Sequence, residues 1–354
     1  MTFADGLLDL VVGNETYFTG GSGQKDSRLH LFENVGTTDN PKFELTDDNW
    51  LNFKQFSDVG TFGFAPTFGD LDNDGDEDLV VGEKDGFLFF VNNNAGPGNP
   101  MTFDFPQFGF MDIDAGQFAT PQIVDLNRDG LKDLVIGRHA RQVRYYQNVG
   151  TPEIPDFNPN VNTAPNNSEL GGMAAESIIP QVFTSTAFGA PTVLDFGDSF
   201  KILLASDNGK IKLYDNIEGN LEGEFDLITE TFGNTKEGFR IRQAVADINN
   251  DGFLDMVVGN FRGGLSFFTT NINTEGEVST QYIDNESIIN IFPNPTSSFL
   301  TVEISENILT KPVKIINSVG QIVKEINVIN QKTEIDLSDV PHGIYFLEFT
   351  SGKN

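Results

Sequence analysis

The sequence has no cysteine, one tryptophan and three histidines among 354 residues. Without cysteine there can be no disulfide, thiolate metal site or thiol nucleophile. That absence alone does not fix the compartment. Basic residues are also scarce: 22 Lys and Arg stand against 52 Asp and Glu, a formal net charge of −30. Nucleic acid and anionic lipid both need a basic surface, so this balance argues against them as partners. No apolar run is long enough for a membrane-spanning helix. The opening stretch MTFADGLLDLVVGN has no basic region, and Asp5 and Asp9 fall where a signal peptide has its apolar core.

What the chain does have is acid, glycine and phenylalanine. A 38% hydrophobic fraction with 33 Phe is ample for packed cores. The most informative stretch is Asp70 to Gly82, DLDNDGDEDLVVG. It places oxygen donors at Asp70, Asp72, Asp74 and Asp78, with Gly75 between them and a strand-like run behind. Ca²⁺ takes six to eight oxygens at about 2.3–2.6 Å, and a short loop wraps it only where one residue bends sharply. The design recurs as DLNRDGLKDLVIG from Asp125 and DINNDGFLDMVVG from Asp247. An EF-hand needs a glutamate at the twelfth loop position and a helix on each side. That position holds Val81, Ile136 or Val258, so the EF-hand is rejected. Three structural Ca²⁺ sites are expected. The first uses Asp70, Asp72, Asp74, the Asp76 carbonyl and Asp78. The second uses Asp125, Asn127, Asp129, the Leu131 carbonyl and Asp133. The third uses Asp247, Asn249, Asp251, the Phe253 carbonyl and Asp255.

The loops belong to larger repeats. Units with the order strand, loop, strand, turn, strand start at Ala65, Thr120 and Gln243. A fourth, from Ala190, keeps the strands and Asp195 and Asp198 but lacks the glycine bend and the closing Asp, so no metal is expected there. Asp5–Asn14 and Arg28–Gly36 match the second half of a unit. Tails such as PKFEL (Pro41), MTFDF (Met101) and EFDLI (Glu224) supply a fourth strand. Short strands, glycine-rich turns and a spacing of 52 to 70 residues predict an all-β chain. The architecture expected is a β-propeller of four-stranded blades, about five visible and the first partial. Tandem Ig modules would need ~100 residues each.

The loops, with the ENVGTTDNPKFEL and QNVGTPEIPDF tails, resemble the FG-GAP/VCBS repeats of integrin-α-type propellers. The resemblance covers residues 1–283 and implies a Ca²⁺-binding propeller, without naming a ligand. Residues 284–354 read instead as alternating strands of a small Ig-like β-sandwich. Phe292-Pro293-Asn294-Pro295, Gly320, Asp336-Leu337-Ser338 and Gly343-Ile344-Tyr345 resemble the C-terminal sorting domain of the type IX secretion system. That resemblance implies recognition by the secretion machinery, and delivery to the medium or outer-membrane surface of a Gram-negative, Bacteroidetes-type bacterium. Family members continue past GIYFLEFTSGKN and carry an export signal. Met1 and Phe3 also stand where Asp70 and Asp72 stand in the intact copy. Both ends are therefore expected to be cut from a longer product.

Strand direction places the second-to-third-strand turns on the face away from the metal loops. Tyr17, Phe18, Lys84, Arg138, His139, Arg141 and Arg262 are the candidate ligand rim. Arg138, Arg141 and Arg144 suit an anion or acidic glycan, against the plainer reading of a solvated hairpin. His30, His139 and His342 are scattered and read as ordinary surface residues; Trp50 reads as packing. No nucleophile elbow, HExxH or phosphate loop is present. The expected function is a non-enzymatic module that binds protein or glycan. The alternatives are a propeller lyase or hydrolase, or the terminal part of a larger secreted enzyme.

Overall fold

The computed structural model describes residues 6–15, 17–18, 25–178, 187–278, 289–292, 296, 298–304, 312–317, 321–326, 332–341 and 345–348. Their regular structure is almost all β, in small antiparallel sheets. Sheet one holds Leu10–Gly13, Leu29–Asn34 and Phe43–Asp47. Sheet two holds Ala65–Gly69, Asp78–Gly82, Leu88–Val91 and Gln107–Phe108. Sheet three holds Thr120–Val124, Asp133–Gly137 and Arg144–Tyr146. Sheet four holds Ala190–Asp195, Phe200–Ala205, Ile211–Asp215 and Asp226–Thr229. Sheet five holds Arg242–Ala246, Phe253–Gly259 and Leu265–Asn273.

Each sheet buries apolar side chains against the next. Leu31, Phe53, Phe64, Leu79 and Phe89 fill the space between sheets one and two. Val80, Ile123, Leu134 and Tyr146 lie between two and three, and Val135, Tyr145, Ile202 and Leu204 between three and four. Leu203, Ile211, Met256 and Val258 lie between four and five. The valine-rich second strands are buried on both faces, which explains their unbroken apolar run. Their closing glycines have a packing reason. A Cβ on Gly82 would sit 2.2 Å from the Ala119 carbonyl oxygen, and one on Gly137 2.2 Å from that of Gly189. Any larger residue would push the sheets apart. Sheet five also meets the start of the chain: Phe267 stacks on Phe43 with centroids 6.2 Å apart, and Arg240 pairs with Glu15 at 3.2 Å.

The fourth strand is less regular than the repeats suggest. Met101 to Phe105 was expected as a strand, but only Phe103 bridges, to Asn93, and the strand proper is Gln107–Phe108. In sheet three isolated bridges, such as Asn148 to Phe157, replace it. The connections also hold short 3₁₀ turns at Trp50–Asn52, Phe110–Asp112, Leu170–Gly172 and Phe232–Asn234. Trp50 is buried beside Phe68 and Phe103, as expected of a packing residue.

The C-terminal residues form two further three-stranded sheets. One orders Ile289–Phe292, Phe299–Ile304 and Lys332–Asp336; the other Ile322–Ile326, Val313–Asn317 and Tyr345–Glu348. Leu300, Val302, Ile315 and Ile335 form their shared core, which fits the small sandwich read from the sequence. Pro293-Asn294-Pro295, Gly320, His342, Gly343 and Ile344 lie outside the described residues, as do Met1, Phe3 and Asp5. Among the described residues, no helix is long and apolar enough to cross a membrane.

Candidate metal loops and an arginine-rich rim

Each acidic loop joins the first strand of its sheet to the second. All three share one backbone course, with left-handed residues at the fourth and sixth positions. These are Asn73, Arg128 and Asn250 (φ 55°, 60° and 55°), then Gly75, Gly130 and Gly252 (φ 93°, 90° and 84°). The sixth residue must be glycine in the first loop, because a Cβ there would also lie 2.5 Å from Pro97. The seventh residue turns its amide inward. The N–H of Asp76, Leu131 and Phe253 donates to the fifth-position carboxylate of Asp74, Asp129 and Asp251.

The first loop gathers most charge. Carboxylate oxygens of Asp70, Asp72 and Asp74 lie within 4.8 Å of one another. Buried oxygens of Asp70, Asp72 and Asp76 have no hydrogen-bond partner. Orphaned, converging carboxylate oxygens fit a hard cation and little else. Burial and the neighbouring carboxylates push the Asp72 and Asp76 pKa values up. The other two loops carry asparagine at the third position. Its amide neutralises part of the loop: Asn127 Nδ2 donates to Asp129 Oδ2 at 2.8 Å, and Asn249 Nδ2 to Asp251 Oδ2 at 3.1 Å.

The ninth-position aspartates were expected to close the metal shell, and their oxygens also accept hydrogen bonds within the sheet. Asp78 accepts from the Leu71 amide at 3.1 Å and the Asn93 amide at 2.9 Å. Asp133 accepts from the Leu126 and Asn148 amides and the Tyr145 hydroxyl. Asp255 accepts from the Ile248 amide at 3.2 Å. These residues brace the loop against the third strand. Burial pushes Asp78 and Asp133 up to about 7. Asp9 does the same work in sheet one, accepting from the Asn34 amide at 2.8 Å.

The asparagines complete a relay that sequence reading missed. Asn34, Asn93 and Asn148 are buried. The Asn148 side-chain oxygen accepts from the Gly150 and Asp156 amides, and that of Asn34 from Gly36 and Lys42. A signal was present in the spacing of Asn93 and Asn148, each 15 residues after its ninth-position Asp, while Asn34 follows Asp9 by 25 across the inserted hairpin. At Asp195, where no metal was expected, an arginine from the neighbouring loop stands beside the carboxylate.

The turns at the opposite end of the sheets converge. The Lys84 amide donates to the Phe62 carbonyl, His139 to Gln117 and Phe261 to Phe239. Across sheets, the Phe118 amide donates to Lys84, Gly189 to Arg138 and Arg240 to Asp207. Of the predicted rim, Lys84, Arg138, His139, Arg141 and Arg262 all belong to this end. Tyr17 and Phe18 pair with Lys25–Asp26 in a hairpin, and their side chains are outside the described set.

Rings and cations interleave here. His139 stacks on Phe188 with centroids 4.1 Å apart, so it is an integrated residue rather than a free surface histidine. Burial pulls its pKa down, and so does the Arg240 charge. The Arg240 guanidinium lies 4.0 Å from the Phe188 ring and 4.8 Å from Phe261. Arg262 lies over Phe239, and Lys84, paired with Asp85, over Phe62. Arg141 donates from Nε to the Ala175 carbonyl. Glu83 is buried, with one oxygen accepting two turn amides and the other without a partner. His30, read as surface, is buried against Asn14, and burial pulls its pKa down. Arg240, Phe118 and Phe188 were not singled out in the sequence. Alignment of GFRIRQA with GQFATPQ and TAFGAPT exposes all three, three residues before each first strand's second position.

No curated protein matches the chain. A solved structure of PorZ, described as an essential bacterial surface component of the type-IX secretion system of Porphyromonas gingivalis, is similar at 12% identity and a TM-score of 0.26. That alignment covers 92% of this chain and 56% of PorZ, so the chain spans little more than half its length. Residues 70–136 match an FG-GAP-like repeat, and residues 290–354 match a secretion system C-terminal sorting domain. The chain thus carries an FG-GAP-like repeat and a sorting domain of the kind that marks proteins for the cell surface or extracellular space of Bacteroidetes.

Proposed function

We propose that the five N-terminal sheets are blades of a calcium-stapled β-propeller, exported through the C-terminal sorting domain, that binds a protein or glycan and catalyses no reaction. Sequential packing of the sheets supports the propeller. So do the contacts of sheet five with sheet one, Phe267 on Phe43 and Arg240 on Glu15. The ion would sit on Asp70, Asp72 and Asp74, with the equivalent residues Asp125, Asn127, Asp129 and Asp247, Asn249, Asp251 in the other loops. The carbonyls of Asp76, Leu131 and Phe253 would add oxygens, while Asp78, Asp133 and Asp255 brace from behind.

The observation that carries the reading is a division of labour along each sheet. The acidic loops lie at one end, and the ringed cations at the other. An ion at the first end stiffens the scaffold and leaves the second free to recognise a partner. Calorimetric titration of EDTA-treated protein should show Ca²⁺ uptake with a rise in Tm. A glycan array and a protein pull-down should then give binding, while a reducing-end release assay on the same glycans gives no product. Release of reducing ends would overturn the non-enzymatic reading.

A further inference from the structure

Four sheets place one residue each at the same point, two positions before their first strand. These residues are Gly63, Phe118, Phe188 and Arg240. Gly63, Phe118 and Arg240 share a left-handed backbone, at φ 74°, 57° and 52°. The four stand in a row. A Cβ on Gly63 would lie 3.5 Å from the Phe118 ring, Phe118 and Phe188 have centroids 4.9 Å apart, and the Arg240 guanidinium lies 4.0 Å from Phe188. The row is curled, because Arg240 also comes within 5.9 Å of Phe118, which belongs to sheet three. On another side Arg240 meets sheet one: Nη1 donates to Glu15 Oε1 at 3.2 Å. Close by in sequence, Arg242 donates to the Phe64 carbonyl, just before sheet two, at 3.4 Å. A guanidinium on sheet five can meet residues of sheets one, three and four together only where the ends of those sheets surround a common axis.

The surroundings of Arg240 suit a cation. Phe188 and Phe261 face the guanidinium at 4.0 and 4.8 Å, and His139 stacks on Phe188 as well. Two carboxylates serve this one group. Glu15 is hydrogen-bonded to it. Asp207, only 7% exposed, sets an oxygen that accepts no hydrogen bond among the described residues 3.9 Å from Nε. Left-handed backbone disfavours a long side chain, so contacts elsewhere must hold Arg240 in it. We propose that Arg240 is a latch: its guanidinium fills a cation site formed by Glu15, Asp207, Phe188 and Phe261, ties sheet five to sheet one, and shuts the axial mouth of the ring on the rim side. This rests on the propeller reading given above. Arginine suits the place, since its planar group stacks on a ring and reaches two carboxylates at once, where an ammonium is a point charge. With the latch shut, a partner meets the outer turns of the rim, and the axial mouth opens only when the guanidinium leaves.

The test uses the full chain in Ca²⁺. The chain has no cysteine, so Thr46→Cys and Glu275→Cys, at exposed residues of sheet one and of the turn that follows sheet five, carry a pair of spin labels. With Arg240 present the pair should give one narrow distance. Arg240→Ala should broaden it and lower Tm by about 2–6 °C, the loss of an ion pair and its ring contacts in a chain of this size. Methylguanidinium chloride should narrow the distance again and raise Tm, whereas methylurea, its neutral isostere, should do neither. Glu15→Gln, which leaves every ring in place, should broaden the distance less. A distance that stays narrow in both variants would overturn the latch and leave the propeller standing. Should Arg240→Ala fail to fold, Glu15→Gln decides, and an unchanged width overturns the link to sheet one. No rescue by methylguanidinium, or equal rescue by methylurea, would overturn the cation site. A broad distance before either substitution would overturn the adjacency of sheets five and one, and with it the propeller reading.

Discussion

Arg128 grips Asp195 with both arms of its guanidinium, Nη1 to Oδ2 and Nη2 to Oδ1, each at 2.8 Å. Glu218 approaches the same group at 3.4 Å, and the Phe200 ring lies 3.7 Å beneath it. Asp195 stands at the first loop position of the one unit that lost its loop. The positive charge beside it comes from the neighbouring unit's loop. Arg128 itself sits in left-handed backbone, at φ 60°, where the two sister loops carry asparagine. Asparagine tolerates that region better than a long side chain does. Arg128→Gln should therefore destabilise the chain by about 1–2 kcal/mol, a two-pronged but partly exposed pair plus a cation–π contact. Arg128→Asn should cost less, because it relieves the backbone as it removes the pair. Denaturant titrations of both variants in Ca²⁺ test the order; equal losses would refute the strain.

The third loop position separates affinity from apo stability. Asp72 has an orphaned oxygen and two carboxylate neighbours, whereas Asn127 and Asn249 donate into their own loops. Asp72→Asn should raise Tm in EDTA, because it removes repulsion and adds a donor. In Ca²⁺ the same change should weaken uptake at the first loop, since it removes one carboxylate from the donor set. Calorimetric titration with parallel melting curves reads both. A lower Tm in EDTA would show that repulsion does not dominate this loop.

Much of this was legible because sharply bent acidic loops and tight turns leave few residue choices. Asp and Gly at fixed spacing exposed the units, and alternating Ile and Val exposed the C-terminal sandwich. What stayed hidden depends on shape or distance. The 3₁₀ turns recur with left-handed Leu51, Met111, Gly171 and Gly233 at their centres, but only the backbone repeats and not the residues. Arg128 meets Asp195 across 67 residues, a reach no local pattern encodes. The rim pile draws Phe118, His139, Phe188 and Arg240 from three units, each inconspicuous in its own segment. The ninth-position aspartates were seen, but spacing does not show that their oxygens also brace the loop by accepting backbone amides.

The bracing aspartates predict an inverted pH response. Burial holds Asp133 protonated up to about 7, against an ordinary carboxylate near 4. Between these values the folded chain binds more protons than the unfolded one. Its stability therefore falls as pH rises through that window. Asp133→Asn cannot titrate. In EDTA, the wild-type advantage over Asp133→Asn should be largest near pH 4 and shrink toward pH 7. A gap that widens with pH would mean that the three hydrogen bonds to Asp133 outweigh its burial.

The asparagine relay sets the last test. Asn148 is 1% exposed, and its side-chain oxygen holds the Gly150 amide at 3.0 Å and the Asp156 amide at 2.9 Å. Its own backbone amide donates to Asp133. Asn148→Ala keeps the link to Asp133 but leaves two turn amides without their acceptor, at a cost of about 2–3 kcal/mol. Asn148→Asp keeps an acceptor yet sets a second carboxylate near buried Asp133, where like charges repel. In EDTA the aspartate variant should therefore approach wild-type stability only at acid pH, while the alanine variant stays low throughout. Melting curves across pH distinguish the two. Parallel curves would show that the turn, and not the neighbouring charge, governs the position.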